Sequence, residues 1–158
     1  MKLRYKKATI EDINLLTKSR IEVLKAANNL ADDVDMAEIQ AQSWEYYKKA
    51  LSGGTHTAYL VFDGDRFVGA GGISYYRVMP TYHNPSGNKA YIMNVYTKPD
   101  YRRLGIAMKT LELLVADAKE KGIKSISLEV TDMGRSLYEK FGFVKMNHEM
   151  ELPENRDI

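Results

Sequence analysis

The 158-residue chain contains no cysteine, which excludes disulfides, thiolate metal sites and a cysteine nucleophile together. Net charge is nearly absent too, because 23 Lys+Arg against 21 Asp+Glu leave a formal charge of only +2. That is far from the basic surfaces that hold nucleic acid by counterion release. No apolar run reaches the length of a membrane span, and the opening MKLRYKKATIEDI is charged where a secretory leader is apolar. A cytoplasmic protein with neither nucleic-acid nor membrane partners is expected. His56, His83 and His148 lie far apart without metal-ligand spacing, so they are expected to be isolated surface or loop residues, and no metal is expected. Prolines number four, and there is no repeat, low-complexity tract or Pro/Gly/Ser linker. One domain over residues 1–158 is expected.

What is present is globular: 44% apolar and 28% charged residues. Residues 2–8 alternate as a short strand, and Thr9 opens T-I-E-D, a capping box closed by Asp12. A helix follows to about residue 27, with Ile13, Leu16, Ile21 and Leu24 near helical spacing, and a second helix spans 35–51 ahead of Gly53 and Gly54. Two strands, 57–62 and 66–78, flank the turn Asp63-Gly64-Asp65. After a loop at 79–88, a strand covers 90–97, and Lys98-Pro99-Asp100 turns the chain into YRRLGIAMK. From Leu104 a helix shows one apolar face, Met108, Leu111, Leu114, Val115 and Ala118, and closes at Gly122. A strand at 124–131, a short helix at 134–141 and a terminal strand or short hairpin over 143–152 complete the order β-α-α-β-β-β-α-β-α-β. The fold class is α/β on a mixed sheet: antiparallel hairpins first, then a strand-helix-strand unit whose strands run parallel with a right-handed crossover.

The segment R-R-L-G-I-A, residues 102–107, sits where a loop enters a helix. First-turn amides have no partner within the helix and carry partial positive charge, so such a loop suits phosphate. Gly105 lets a large anion approach the backbone, Ala107 keeps the first turn uncrowded, and Arg102 and Arg103 add charge. A diphosphate is the ligand implied. An ordinary basic turn is the alternative.

Together with NVYTKPDY before it, ISLEVT after the helix and then GRSLYEKFGF, the segment resembles the Gcn5-related N-acetyltransferase (GNAT) superfamily over residues 90–144. The resemblance implies acetyl-coenzyme A as cofactor, its pyrophosphate held by Arg102, Arg103, Leu104, Gly105, Ile106 and Ala107. It implies that the strand bulges near Asn94 and Val95 and splays from its neighbour, so that backbone groups of Val95 and Thr97 face the pantetheine arm. The Val95 amide is then the expected oxyanion donor, worth on the order of 3 kcal/mol. Tyr138 stands at the family's position for the acid that protonates the departing thiolate, against a plain reading in which its ring packs on the sheet. The implied reaction is direct transfer of acetyl to a primary amine of a small molecule or peptide, and homodimers are frequent among relatives.

The base is open. In SISLEVT, Ser127, Glu129 and Thr131 share the polar face, so Glu129 is the candidate, against a structural carboxylate or ordered water in its place. YIMNV lacks the glutamate that many relatives carry there, and TDMGRS replaces an Asn-x-x-Ala arrangement, with Asp132 expected as a helix cap. Trp44, Tyr46, Tyr47 and Asn94 are candidate acceptor-pocket residues. The acidic run ADDVD, residues 31–35, caps the next helix or draws in a cationic amine. The leading function is an acetyl-CoA-dependent N-acetyltransferase, and the rival is an idle acyl-CoA-binding module on the same fold. A dinucleotide oxidoreductase lacks its G-x-G-x-x-G spacing.

Overall fold

The computed structural model describes residues 1–155. Its elements are β1 (Leu3–Lys7), α1 (Ile13–Ala27), α2 (Ala37–Gly53), β2 (His56–Asp63), β3 (Arg66–Arg77), β4 (Asn88–Thr97), α3 (Ile106–Glu120), β5 (Ser125–Leu128) and α4 (Arg135–Phe141), with single 3-10 turns at Ile10–Asp12 and Pro99–Tyr101. The strands lie in sequence order, antiparallel from β1 to β4 and parallel between β4 and β5. That mixed sheet is the expected one.

Local chemistry accounts for the boundaries. The Thr9–Asp12 capping box forms: the Thr9 amide donates to Asp12 Oδ2 at 2.9 Å, and the Thr9 hydroxyl accepts from the Glu11 amide at 3.3 Å. Helix α2 runs two residues beyond the expected end because the left-handed cap is Gly54, at φ 72°, rather than Gly53. The β2–β3 hairpin turns through Gly64 at φ 59°.

Helices cover both faces of the sheet. On one, Ala58, Leu60 and Phe62 of β2 and Ala70 of β3 pack with Leu16 of α1 and Tyr47 of α2. On the other, Ile73, Ala90 and Ile92 pack beneath Leu111, Leu114 and Ala118 of α3, with Tyr138 and Phe141 of α4 at the margin. Within that second layer the buried Asp117 carboxylate accepts from Lys7 Nζ at 2.9 Å, Thr57 Oγ1 at 2.8 Å and the Tyr75 hydroxyl. Burial opposes its charge, and these three donors outweigh that, leaving its pKa below the ordinary value.

Two expectations need correction. Residues 143–152 form no strand. Alternation alone makes no ladder: Phe143 packs on the Tyr138 and Phe141 rings, and beyond it Val144 and Met150 are left exposed. Likewise β5 ends at Leu128 instead of residue 131, because its only described partner, β4, pairs with it from Lys89 to Ile92 and no further.

Candidate active site

The distortion that ends the β4–β5 ladder lies in β4 itself. Ala70 faces Tyr96 and Gly72 faces Met93, so Asn94 and Val95 together oppose the single residue Gly71. Asn94 takes φ 64° to accommodate the extra residue. The bulge shifts the alternation: Val95 joins Ala90 and Ile92 on the α3 face, while Asn94 stays on the α1–α2 face with its Oδ1 accepting from Arg20 Nη1 at 3.0 Å. Past Ile92 the edge of β4 that paired with β5 has no strand beside it among the described residues. Thr97 Oγ1, further along that edge, is buried without a hydrogen-bond partner.

Immediately downstream lies the loop. Arg103 at φ 63° and Gly105 at φ 81° bend it into the start of α3, where Gly105 is the N-cap and no side chain caps the helix. The Lys109 amide is bonded to Gly105 O, whereas the amides of Arg103 through Met108 have no acceptor among the described residues. A Cβ on Gly105 would meet no atom within 4 Å, so the space beside the loop is open. These bare amides at a positive helix end make an anion cradle. Arg102 is only partly available to it, since its Nε donates to Thr97 O at 3.2 Å.

On the opposite face α1, α2 and the strands enclose a cavity of about 460 Å³. Its floor holds His56 at the start of β2, whose Nδ1 lies 2.9 Å from the Tyr46 hydroxyl and 3.2 Å from Ser74 Oγ; those two oxygens are 2.6 Å apart. Burial first, and the nearby Arg20 charge second, lower the His56 pKa to about 4, so the ring is neutral at physiological pH. Burial likewise pushes Tyr47 up to about 12. Arg20, Met93 and Asn94 complete the wall nearest the bulge.

Residues 24–143 match the Acetyltransferase (GNAT) family. A "predicted acetyltransferase with acetyl-CoA" from Clostridium acetobutylicum has TM-score 0.87 at 30% identity, over 96% of both chains. The chain belongs to the GNAT acetyltransferase family. A GCN5-related N-acetyltransferase from Ralstonia eutropha JMP134 shares the fold at TM-score 0.82 and 24% identity, covering 96% of this chain and 97% of that one. The uncharacterized N-acetyltransferase YsnE of Bacillus subtilis (strain 168) is 29% identical over 98 residues, 59% of its own length.

For this GNAT chain the structure brings Val95, Thr97 and the 102–107 loop onto one stretch, β4 to α3. Tyr138 packs against the same apolar cluster as Val95, its ring 6.2 Å from that of Phe143. Burial raises its phenol pKa. Tyr47 and Asn94 line the cavity, and Trp44 does not; it lies half-buried with Lys48 Nζ 5.1 Å from its ring centre. Glu129 is exposed just past the end of β5, also outside the cavity lining. It sits by Tyr91, whose phenol burial and this carboxylate push up to about 12. Asp132 makes no cap: the Gly134 amide donates to Thr131 Oγ1 at 3.2 Å instead. In the acidic run, Asp35 Oδ1 accepts from the Ala37 amide at 3.0 Å just ahead of α2, whose N-cap is Met36 with no side-chain cap bond.

His83 and His148 are exposed as expected, but His56 is only 8% exposed, and its position as the first residue of a buried strand is the reason. Among the described residues no group of His, Asp and Glu side chains is placed to hold a metal, and no helix is long and apolar enough to cross a membrane. Arg20, His56 and Ser74 were not foreseen at the cavity, whereas Tyr46 was a candidate and lines it. Arg20 had a signal: with Leu16 and Val23 at helical spacing, it is a cation on the apolar face of α1.

Proposed function

We propose that the protein is an N-acetyltransferase, a single domain over residues 1–158 that transfers acetyl from acetyl-CoA to a primary amine of a small molecule or peptide. The observation that carries this is one continuous stretch in which a bulged, half-unpaired strand leads directly into bare amides at a helix start. The residues suit the donor. The amides from Arg103 to Met108 would hold its diphosphate, with Arg103 adding charge, while the open edge of β4 would pair with the pantetheine amides and Thr97 Oγ1 has a hydrogen bond still to make. When bound, acetyl-CoA supplies an acetyl group already activated as a thioester, so the amine attacks directly and no acyl-enzyme is needed.

The chain's own groups do the rest. The Val95 amide would donate to the carbonyl oxygen as negative charge grew there, worth about 3 kcal/mol for one well-placed donor. The acceptor arrives as an ammonium ion, because a lysine-like amine titrates near about 10.4. It gives one proton to water entering the cavity, since Glu129 stands outside the lining. As the N–C bond formed and the C–S bond broke, Tyr138, protonated at neutral pH, would pass its proton to the departing sulfur. The second amine proton leaves through solvent and restores the phenol. One amide, one free thiol and one proton result.

The test is acceptor-dependent release of free thiol across polyamines, amino acids, aminoglycosides and peptide N-termini. Tyr138→Phe should lower kcat by about 10²-fold with little change in acceptor KM. Calorimetric binding of coenzyme A without thiol release from any amine class would mark an idle acyl-CoA-binding module instead.

A further inference from the structure

The acceptor cavity has one cation in its lining, Arg20, and that cation has no acidic partner among the described residues. Glu38, the lining's one carboxylate, is exposed in the first turn of α2 and makes no ion pair with it. His56, the remaining titratable base, is neutral. Arg20 is itself only partly exposed, and its single recorded hydrogen bond, to Asn94 Oδ1 at 3.0 Å, leaves most of its five donors unused. A half-buried guanidinium left unpaired beside a cavity is a ready partner for a carboxylate.

Position narrows the ligand further. Asn94 is the chain neighbour of Val95, so Arg20 reaches the residue adjoining the proposed oxyanion donor. An anion held there lies close to the reacting amine rather than at the far end of the acceptor. Beside the polar Gln42, Ser43 and Ser74, the lining carries an apolar group, Ile39, Tyr46 and Met93, exposed at 42%, 43% and 41%. Side chains of that kind, open to solvent and converging on one hollow, favour an apolar ligand body.

The geometry points to a free α-amino acid with an apolar side chain as the acceptor, its carboxylate on Arg20, its α-amine toward Val95 and its side chain against Ile39, Tyr46 and Met93. This rests on the acetyl-transfer reading above and specifies its substrate. Peptide N-termini and simple amines lack the carboxylate one carbon from the amine.

Matched acceptors test it without any variant: leucine, methionine and phenylalanine against their amides and the corresponding decarboxylated amines, read as thiol release. The amino acids should exceed their amides and amines in kcat/KM by about 10²-fold or more. Arg20→Met should raise KM for the amino acids by a similar factor and erase their advantage over the matched amides and amines, with coenzyme A affinity by calorimetry as the control for a folded protein. Amides or amines acetylated as well as the amino acids would overturn the carboxylate anchor and leave acetyl transfer standing. No acetylation of any amine would overturn the acetyl-transfer reading, and this inference with it.

Discussion

At Gly71 α3 lies directly against the sheet, and adding one methyl group there measures how tightly that contact is made. An alanine Cβ would lie 2.5 Å from Thr110 Cγ2 and 3.1 Å from Leu114 Cδ1. Carbon atoms rest at about 3.5–4.0 Å, so roughly 1 Å of extra separation must be found. Thr110 cannot easily give way, being 1% exposed with its hydroxyl donating to Ile106 O at 2.9 Å. Overpacking of this kind costs about 1–3 kcal/mol. In a chain of this size, about 2–4 °C per kcal/mol gives a Tm loss of roughly 2–12 °C for Gly71→Ala. Thr110→Ser keeps the hydroxyl and removes the offending methyl, so in that background the Gly71→Ala loss should shrink by at least half, a coupling on the order of 1 kcal/mol in calorimetric or urea unfolding. Because Thr110 lies one turn from Ile106, the same displacement tilts the bare amides, and coenzyme A affinity should fall alongside Tm. A Tm within 1 °C of the parent, or an equal loss in both backgrounds, is the result that refutes the close approach.

Three further outcomes are expected. His56 stays neutral in the fold down to about pH 4, whereas the unfolded chain takes up its proton near about 6.5; stability should therefore fall by roughly 3 kcal/mol as pH drops through that window and be flat above it. His56→Gln should flatten the slope, and superimposable pH–stability curves for the two proteins would refute the assignment. Asp117→Ala strands the buried Thr57 hydroxyl and the Tyr75 hydroxyl and should cost about 2–4 kcal/mol in urea unfolding, a loss under about 1 kcal/mol counting against the network. Gly105→Ala introduces a side chain at φ 81° with open space around it, so the cost of about 1–2 kcal/mol should appear as loop distortion and roughly tenfold weaker coenzyme A binding; an unchanged Kd would argue against the cradle.

The chain was legible where chemistry is local. The Thr9–Asp12 box, the Gly64 turn and the glycine closing α3 each fix a boundary through a few neighbouring residues. The turn into α3 was legible for the same reason, since Gly105 adjoins the helix it starts. Contacts made across the sheet were not. Arg20 meets Asn94 across 74 residues of sequence, and Tyr46 meets Ser74 across 28, so no periodicity announces the acceptor cavity. The missing terminal strand belongs to the same class, because pairing is decided by an available edge and not by alternation within the segment. Glu129 falls beyond β5 because the bulge that opens β4 also removes the partner that would have extended the strand.

That bulge divides labour between the two sides of one strand. Asn94 turns toward α1 and α2, and its neighbour Val95 toward α3. If the proposed acetyl transfer holds, grafting a foreign helical pair over residues 13–53 would therefore change the acceptor and leave the donor half as it stands. The graft has to keep a hydrogen-bond donor where Arg20 now meets Asn94, because that junction is what ties the interchangeable side to the fixed one.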